Sequence, residues 1–123
     1  MSTILIVEDN DKNMKLARDI LKAKGYVTLE AVTGEEGVKL AKDKLPDLVL
    51  MDIQLPGING IEAFRQIRAD AKTSRIPVVA LTASVTPTDR SEITAAGFDA
   101  FIGKPINLKE FVETVKRLVE GRR

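Results

Sequence analysis

Three carboxylates, a hydroxyl and an ammonium stand out in this sequence, each placed just after a run of apolar residues. Glu8 and Asp9 follow ILIV, Asp52 follows LVLM, Thr82 follows VVAL, and Lys104 follows FIG. Carboxylates drawn together repel, and the pKa of one is driven up unless a cation intervenes. A hard divalent ion with oxygen ligands relieves this, and Mg²⁺ is the usual choice where phosphate chemistry follows. A lysine opposite that ion supplies a point charge to the same phosphoryl group, and a threonine hydroxyl offers one more donor. The set suits phosphoryl transfer to a carboxylate. An aspartate with a reference pKa near ~4 is already ionised at neutral pH and needs no general base to act as a nucleophile. What remains is to position it and to neutralise charge spreading over the phosphoryl oxygens. On this reading Asp52 accepts, Glu8 and Asp9 form the metal side, and Lys104 and Thr82 form the phosphoryl side.

Each residue also has a plainer explanation. Glu8, Asp9, Asn10 and Asp11 could cap a first helix. Asp52 could begin a turn, because aspartate bonds its own downstream backbone. Thr82 taken singly is an ordinary strand residue, and a lone lysine is usually solvated. The joint arrangement carries the reading, since such residues close four of five apolar runs.

Those runs predict strands over Thr3–Val7, Tyr26–Ala31, Asp47–Met51, Pro77–Leu81 and Ala100–Ile102. LVLM lacks alternation, as expected of a strand buried on both faces. Between the strands, apolar residues recur at helical spacing. The first helix carries Met14, Ala17 and Leu21, with Leu16 and Ile20 beside them. The last carries Leu108, Phe111, Val112, Val115, Leu118 and Val119. Thr33 with Glu36, and Asn107 with Glu110, have the spacing of a capping box or its Asn variant. Thr86-Pro87 reads as an N-cap followed by proline at the first helical position. Gly25 and Gly97 fall where a left-handed residue ends a helix. Five βα units in 123 residues imply an α/β fold, a doubly wound parallel sheet with helices on both faces. Ligands in such sheets bind beyond the carboxyl ends of the strands, where the five residues sit.

Composition narrows the function classes. The chain has 44% apolar residues, which is enough for one core, and a formal net charge of +1. No basic stripe advertises direct nucleic-acid binding. Lys116, Arg117, Arg122 and Arg123 suit the C-terminus of a helix. The sequence contains neither cysteine nor histidine, which removes disulfides, thiolate nucleophiles and the common zinc sites. No apolar run approaches the roughly eighteen residues a membrane helix needs, and MSTILIVEDN does not resemble a secretory signal. A cytoplasmic protein without membrane insertion is expected.

From ILIVEDN through LVLMDIQLPGINGIE and VVALTA to IGKP, the chain resembles the receiver domain of two-component response regulators. The likeness extends to the intervals: 43 residues from Asp9 to Asp52, 30 on to Thr82 and 22 on to Lys104. It is most similar to single-domain, CheY-like regulators of the DivK type, a flavoured resemblance that receivers of hybrid kinases share. The resemblance implies strand order 2-1-3-4-5 and one receiver domain over residues 1–123 without an output domain. It implies that Asp52 takes a phosphoryl group from a phosphohistidine on a histidine kinase or phosphotransfer protein. Asp9 and Asp52 would bind Mg²⁺ beside Glu8, with the backbone carbonyl of Gln54 a further ligand. The Lys104–Pro105 peptide would be cis, which is far less costly before proline than elsewhere. Thr82 and Phe101 would form the switch, the ring filling space that the hydroxyl vacates. Many relatives have tyrosine at that position, so Phe101 could act only through ring packing. Gln54 and Ser84 would govern water access, giving slow self-hydrolysis. The upstream partner would dock near Asn13, Met14 and Ala17, although their spacing equally permits core packing. A downstream protein target would use the fourth helix, fifth strand and fifth helix.

Other chemistries fit less well. A haloacid-dehalogenase-type phosphohydrolase wants a second Asp two positions after the nucleophile, where this chain has Gln54. Dinucleotide binding wants G-x-G-x-x-G, which GINGIE does not supply. The remaining alternative is a pseudo-receiver, an interaction module without phosphorylation; such proteins usually lack an acidic-pair residue, the acceptor or the lysine.

Overall fold

The structure, a computed structural model, describes residues 2–83 and 87–121, the side chains of 87–90 excepted. Strands and helices alternate along the described chain: β1 (Thr3–Val7), α1 (Asp11–Ala23), β2 (Val27–Ala31), α2 (Gly34–Lys44), β3 (Leu48–Asp52), α3 (Gly60–Ala69), β4 (Val78–Thr82), α4 (Pro87–Ala96), β5 (Ala100–Gly103) and α5 (Leu108–Glu120). The strands form one parallel sheet in the order β2-β1-β3-β4-β5. The predicted strands are all present, displaced by one residue at several ends. Tyr26 stays outside β2 because its amide bonds the Leu21 carbonyl that closes α1. At the other ends, Asp52 and Thr82 belong to their strands instead of following them.

The continuous apolar runs have their explanation in two cores. Ile4, Ile6, Leu48, Leu50, Val79 and Leu81 face α1 and α5, whereas Leu5, Val7, Val49, Met51 and Val78 face α2 and α3. Every residue of β3 and β4 is buried. At roughly 25 cal/mol per Å² of apolar surface removed from water, these strands are the most strongly held part of the chain. Side chains at their carboxyl ends therefore sit on a rigid base.

Helix ends follow local chemistry. Asn10, and none of the neighbouring acids, caps α1, its Oδ1 accepting the Asn13 amide at 3.0 Å. Thr33 accepts the Glu36 amide, and the Glu36 carboxylate returns to Val32 N, one residue earlier than the usual box. Asn107 caps α5 through the Glu110 amide. The same Asn-x-x-Glu spacing at Asn59 and Glu62 caps α3, a start signal not recognised from the sequence. Gly25 and Gly97 hold φ of 90° and 100°, as the helix-end reading requires. Helix α4 begins at Pro87, while Thr86, Arg122 and Arg123 lie outside the described residues. Leu108, in the first turn of α5, is exposed in place of joining the buried stripe of Phe111, Val115 and Val119.

At the opposite end of the sheet, Arg68 ties α3 to the β4–β5 region. Its guanidinium pairs with Asp99 at 2.6 Å, donates to the Ile76 carbonyl, and stacks on the Phe64 ring 4.8 Å away. Asp99 also accepts the Val78 amide at 2.8 Å. Arg68→Ala should lower stability by about 2 kcal/mol in urea denaturation, since several contacts vanish together. Arg68→Lys should recover little, because an ammonium cannot reproduce the planar fork.

Candidate functional site

The carboxyl edge of the sheet gathers the residues singled out by their types. Glu8 and Asp9 leave β1, Asp52 ends β3, Thr82 ends β4, and Lys104 follows β5. One carboxylate oxygen from each of Glu8, Asp9 and Asp52 lies within 4.8 Å of the others. Asp9 is exposed, whereas Glu8 and Asp52 keep only 1% and 3% of their surface. Such burial of two acids demands a cation. Lys104 provides one, its Nζ lying 2.6 Å from Glu8 Oε1 and 3.0 Å from Asp52 Oδ2.

Backbone bonds fix the acceptor end. The Ile53 amide bonds the Leu81 carbonyl, and the Gln54 amide donates to Asp52 Oδ1 at 3.0 Å. The turn reading of Asp52 is thus also correct; a single carboxylate both shapes the turn and faces the cluster. Glu8 Oε2 accepts the Asn10 amide at 3.3 Å. Lys104 is aimed by its own amide, which bonds the Thr82 carbonyl, and the following peptide to Pro105 is cis. Thr82 is buried at the end of β4. Phe101, half-buried, pairs in register with Ala80, while Gly103 is the residue opposite Thr82. Gln54 is exposed beside the cluster, and Ser84 lies outside the described residues.

Electrostatics define which ion the cluster suits. Burial, and then a hydrogen bond with Asp52, push the Glu8 carboxyl from 4.5 up to about 7, against the opposing pull of Lys104. Burial alone would lower the Lys104 ammonium, but its bonds to Glu8 and Asp52 outweigh that and raise it. When all ionise, three carboxylates face one ammonium and two negative charges are left over. Hard oxygen donors with that excess suit a divalent cation of the Mg²⁺ type.

This gives a pH dependence with a definite sign. The folded chain holds a proton on Glu8 that the unfolded chain releases between pH 4.5 and about 7. Stability should therefore fall as pH rises through that window and level off above it. Urea denaturation in EDTA should show a higher midpoint at pH 5 than at pH 8, with that difference reduced in Glu8→Gln. Mg²⁺ should reverse the decline, because it competes with the proton for the same carboxylates.

A predicted docking position needs correction. Met14 and Ala17 are 5% and 1% exposed and pack in the α1–α5 core, so neither is available to a partner. Their spacing fits one helix stripe, and the sheet claims that stripe. Asn13 is half-buried, and Leu16 on the outer face is 43% exposed.

A doubly wound sheet presenting an acidic trio and a lysine at its carboxyl edge defines a receiver, and the chain belongs to the response regulator receiver domain family, matched by its residues 4–116. It is 44% identical over 114 residues to the polar-differentiation response regulator DivK of Brucella ovis, with 93% of each chain covered. A response regulator from Chloroflexus aurantiacus J-10-fl superimposes with a TM-score of 0.92 at 30% identity, over 97% of this chain and 98% of that one. The receiver domain of the sensor histidine kinase PA1611 from Pseudomonas aeruginosa PAO1 gives 0.91 at 33% identity, with the same coverage. That structure has a magnesium ion coordinated in its active site cleft. No helix among the described residues is long and apolar enough to cross a membrane.

Proposed function

We propose that this receiver takes a phosphoryl group from a phosphohistidine of a histidine kinase or phosphotransfer protein onto Asp52. The observation that carries the reading is the buried Asp52 carboxylate, held 3.0 Å from Lys104 and grouped with Glu8 and Asp9. One Asp52 oxygen bonds phosphorus as the donor's P–N bond breaks, and the imidazole leaves with the electron pair. Asp9, Asp52 and the Gln54 carbonyl would hold Mg²⁺, with Glu8 behind them, and the cation would supply neutralising charge for the transferring phosphoryl oxygens. Lys104 turns its ammonium from the free carboxylate to the new phosphoryl oxygens. Thr82 supplies a hydroxyl donor, and Phe101 follows by ring packing, changing the surface offered to a downstream protein.

The chain acts as a signalling phospho-acceptor, and its own catalysis is limited to phosphoryl uptake and slow loss, with water admitted past Gln54. On α1 the donor protein meets Asn13 and the exposed Leu16. A cytoplasmic location goes with that role. The test is incubation with acetyl phosphate and Mg²⁺, followed by intact mass. One phosphoryl group should be gained with Mg²⁺ and none with EDTA. Failure of both acetyl phosphate and a cognate kinase to label the protein would end the proposal.

A further inference from the structure

The GINGIE segment, which lacks the dinucleotide-binding pattern, has another use. Gly60 opens α3 and is buried against the end of β3. Its amide bonds the Ile53 carbonyl at 3.0 Å. A Cβ built on Gly60 would stand 2.1 Å from the Asp52 carbonyl oxygen, 2.8 Å from Ile53 Cα and 2.9 Å from the Asp52 carbonyl carbon. All three atoms are backbone, so no flexible side chain can swing aside.

The geometry points to Gly60 as a positioning residue for the acceptor: its missing side chain lets the first turn of α3 rest directly on the Asp52–Ile53 peptide. That peptide carries the Asp52 side chain on one side and leads to the Gln54 carbonyl on the other. The inference rests on the proposed phosphoryl chemistry at Asp52 and adds the residue that sets the acceptor's direction.

The neighbouring structure decides which part would yield to a side chain here. Helix α3 is anchored by the buried Ala63, Phe64 and Ile67 and by the Arg68 contacts at its far end. Strand β3 is paired with both β1 and β4 along its length. The Asp52–Ile53 peptide lies where that ladder finishes, held onward by the Ile53–Leu81 bond and by the Gly60 and Gln54 amides, all local bonds that can shift with it. Strain is therefore relieved at the acceptor. A normal carbon–oxygen contact is near ~3.3 Å, so the peptide must move by about 1 Å, enough to cost roughly a hundredfold in a reaction that depends on placement. Functional groups need to be held within about 0.5 Å.

The test compares Gly60→Ala with Gly97→Ala. Gly97 holds φ of 100° at the end of α4, so alanine there is strained without touching the site. Each variant is taken well below its melting midpoint. Mg²⁺ affinity is measured by calorimetry, acetyl phosphate labelling by intact mass, and the Ile53 and Gln54 amide resonances by NMR. Gly60→Ala should bind Mg²⁺ about tenfold more weakly and label about a hundredfold more slowly, with both resonances displaced. Gly97→Ala should melt lower yet keep the wild-type affinity and labelling rate. A folded Gly60→Ala that melts lower but retains wild-type affinity, rate and resonances would overturn the inference.

If Gly60→Ala does not fold, Asn59→Ala decides. It removes the cap whose Oδ1 accepts the Glu62 amide at 2.9 Å and so loosens the same turn without a clash. It should weaken Mg²⁺ binding about threefold, a partial form of the same displacement; unchanged affinity would reject the role of Gly60. Absence of labelling in the wild type would instead count against the proposed function, and the Mg²⁺ comparison would still judge Gly60.

Discussion

Asp52→Asn should gain no phosphoryl group from acetyl phosphate and Mg²⁺ under conditions that label the wild type. An amide is a poor nucleophile and carries no charge to direct at phosphorus, and Asp9 is exposed at the rim instead of seated on the strand end. The same substitution should raise stability in EDTA. It removes one of the three clustered carboxylates and the hydrogen bond that pushes the Glu8 carboxyl upward, leaving Glu8 to pair with Lys104 at 2.6 Å. The pH dependence between 4.5 and about 7 should shrink accordingly, because its cause at Glu8 is reduced. Loss of labelling together with a higher urea midpoint is the expected pair of results. Continued labelling of Asp52→Asn would move the acceptor elsewhere.

Lys104→Met should act in the opposite direction on stability. Methionine matches the length of the lysine stem but leaves Glu8 and Asp52, at 1% and 3% exposure, facing each other without a cation. Breaking a buried pair in this way costs about 3–5 kcal/mol. The loss should be greatest at pH 8 in EDTA and smaller at pH 5, where Glu8 takes up a proton. Mg²⁺ should bind the variant more tightly than wild type, since the competing ammonium is gone. Labelling should nevertheless fall roughly a hundredfold, because nothing neutralises the phosphoryl oxygens on that side. Tighter metal with slower transfer would separate the electrostatic role of Lys104 from any damage to the fold. If Mg²⁺ affinity and labelling fell together, the division of the site into metal and phosphoryl sides would be wrong.

The two variants test one physical arrangement. Acids that repel in isolation are held together by strands too well buried to move, and the cost of gathering them is offset by the Lys104 ammonium and, in the proposed function, by a dication. The fold supplies the rigidity, and the charges supply the reactivity.

Much of this was legible in the chain itself. Unbroken apolar runs such as LVLM specify strands covered on both faces, and helical spacing between them specifies the covering layers. From that alternation comes the doubly wound sheet, and from it the expectation that the residues after each run share one edge. Asp52, Glu8, Asp9, Thr82 and Lys104 were recognisable because their chemistry conflicts with their apolar neighbours. Helix caps at Thr33 and Asn107 were also readable, being local bonds between residues three apart.

Other features depend on contacts between distant segments, and only the tertiary structure decided them. Met14 and Ala17 could lie on either side of α1 until the sheet chose the face to bury. The Glu8–Lys104 contact spans 96 positions of chain and has no local signature. Arg68 meets Asp99 only because α3 runs back beside the start of β5, and Gly60 matters only because the end of β3 lies where its side chain would be. Patterns along a chain record which residues avoid water and which bond to near neighbours. Which distant groups then touch is fixed by packing, where a shift of a single ångström separates a contact from a clash.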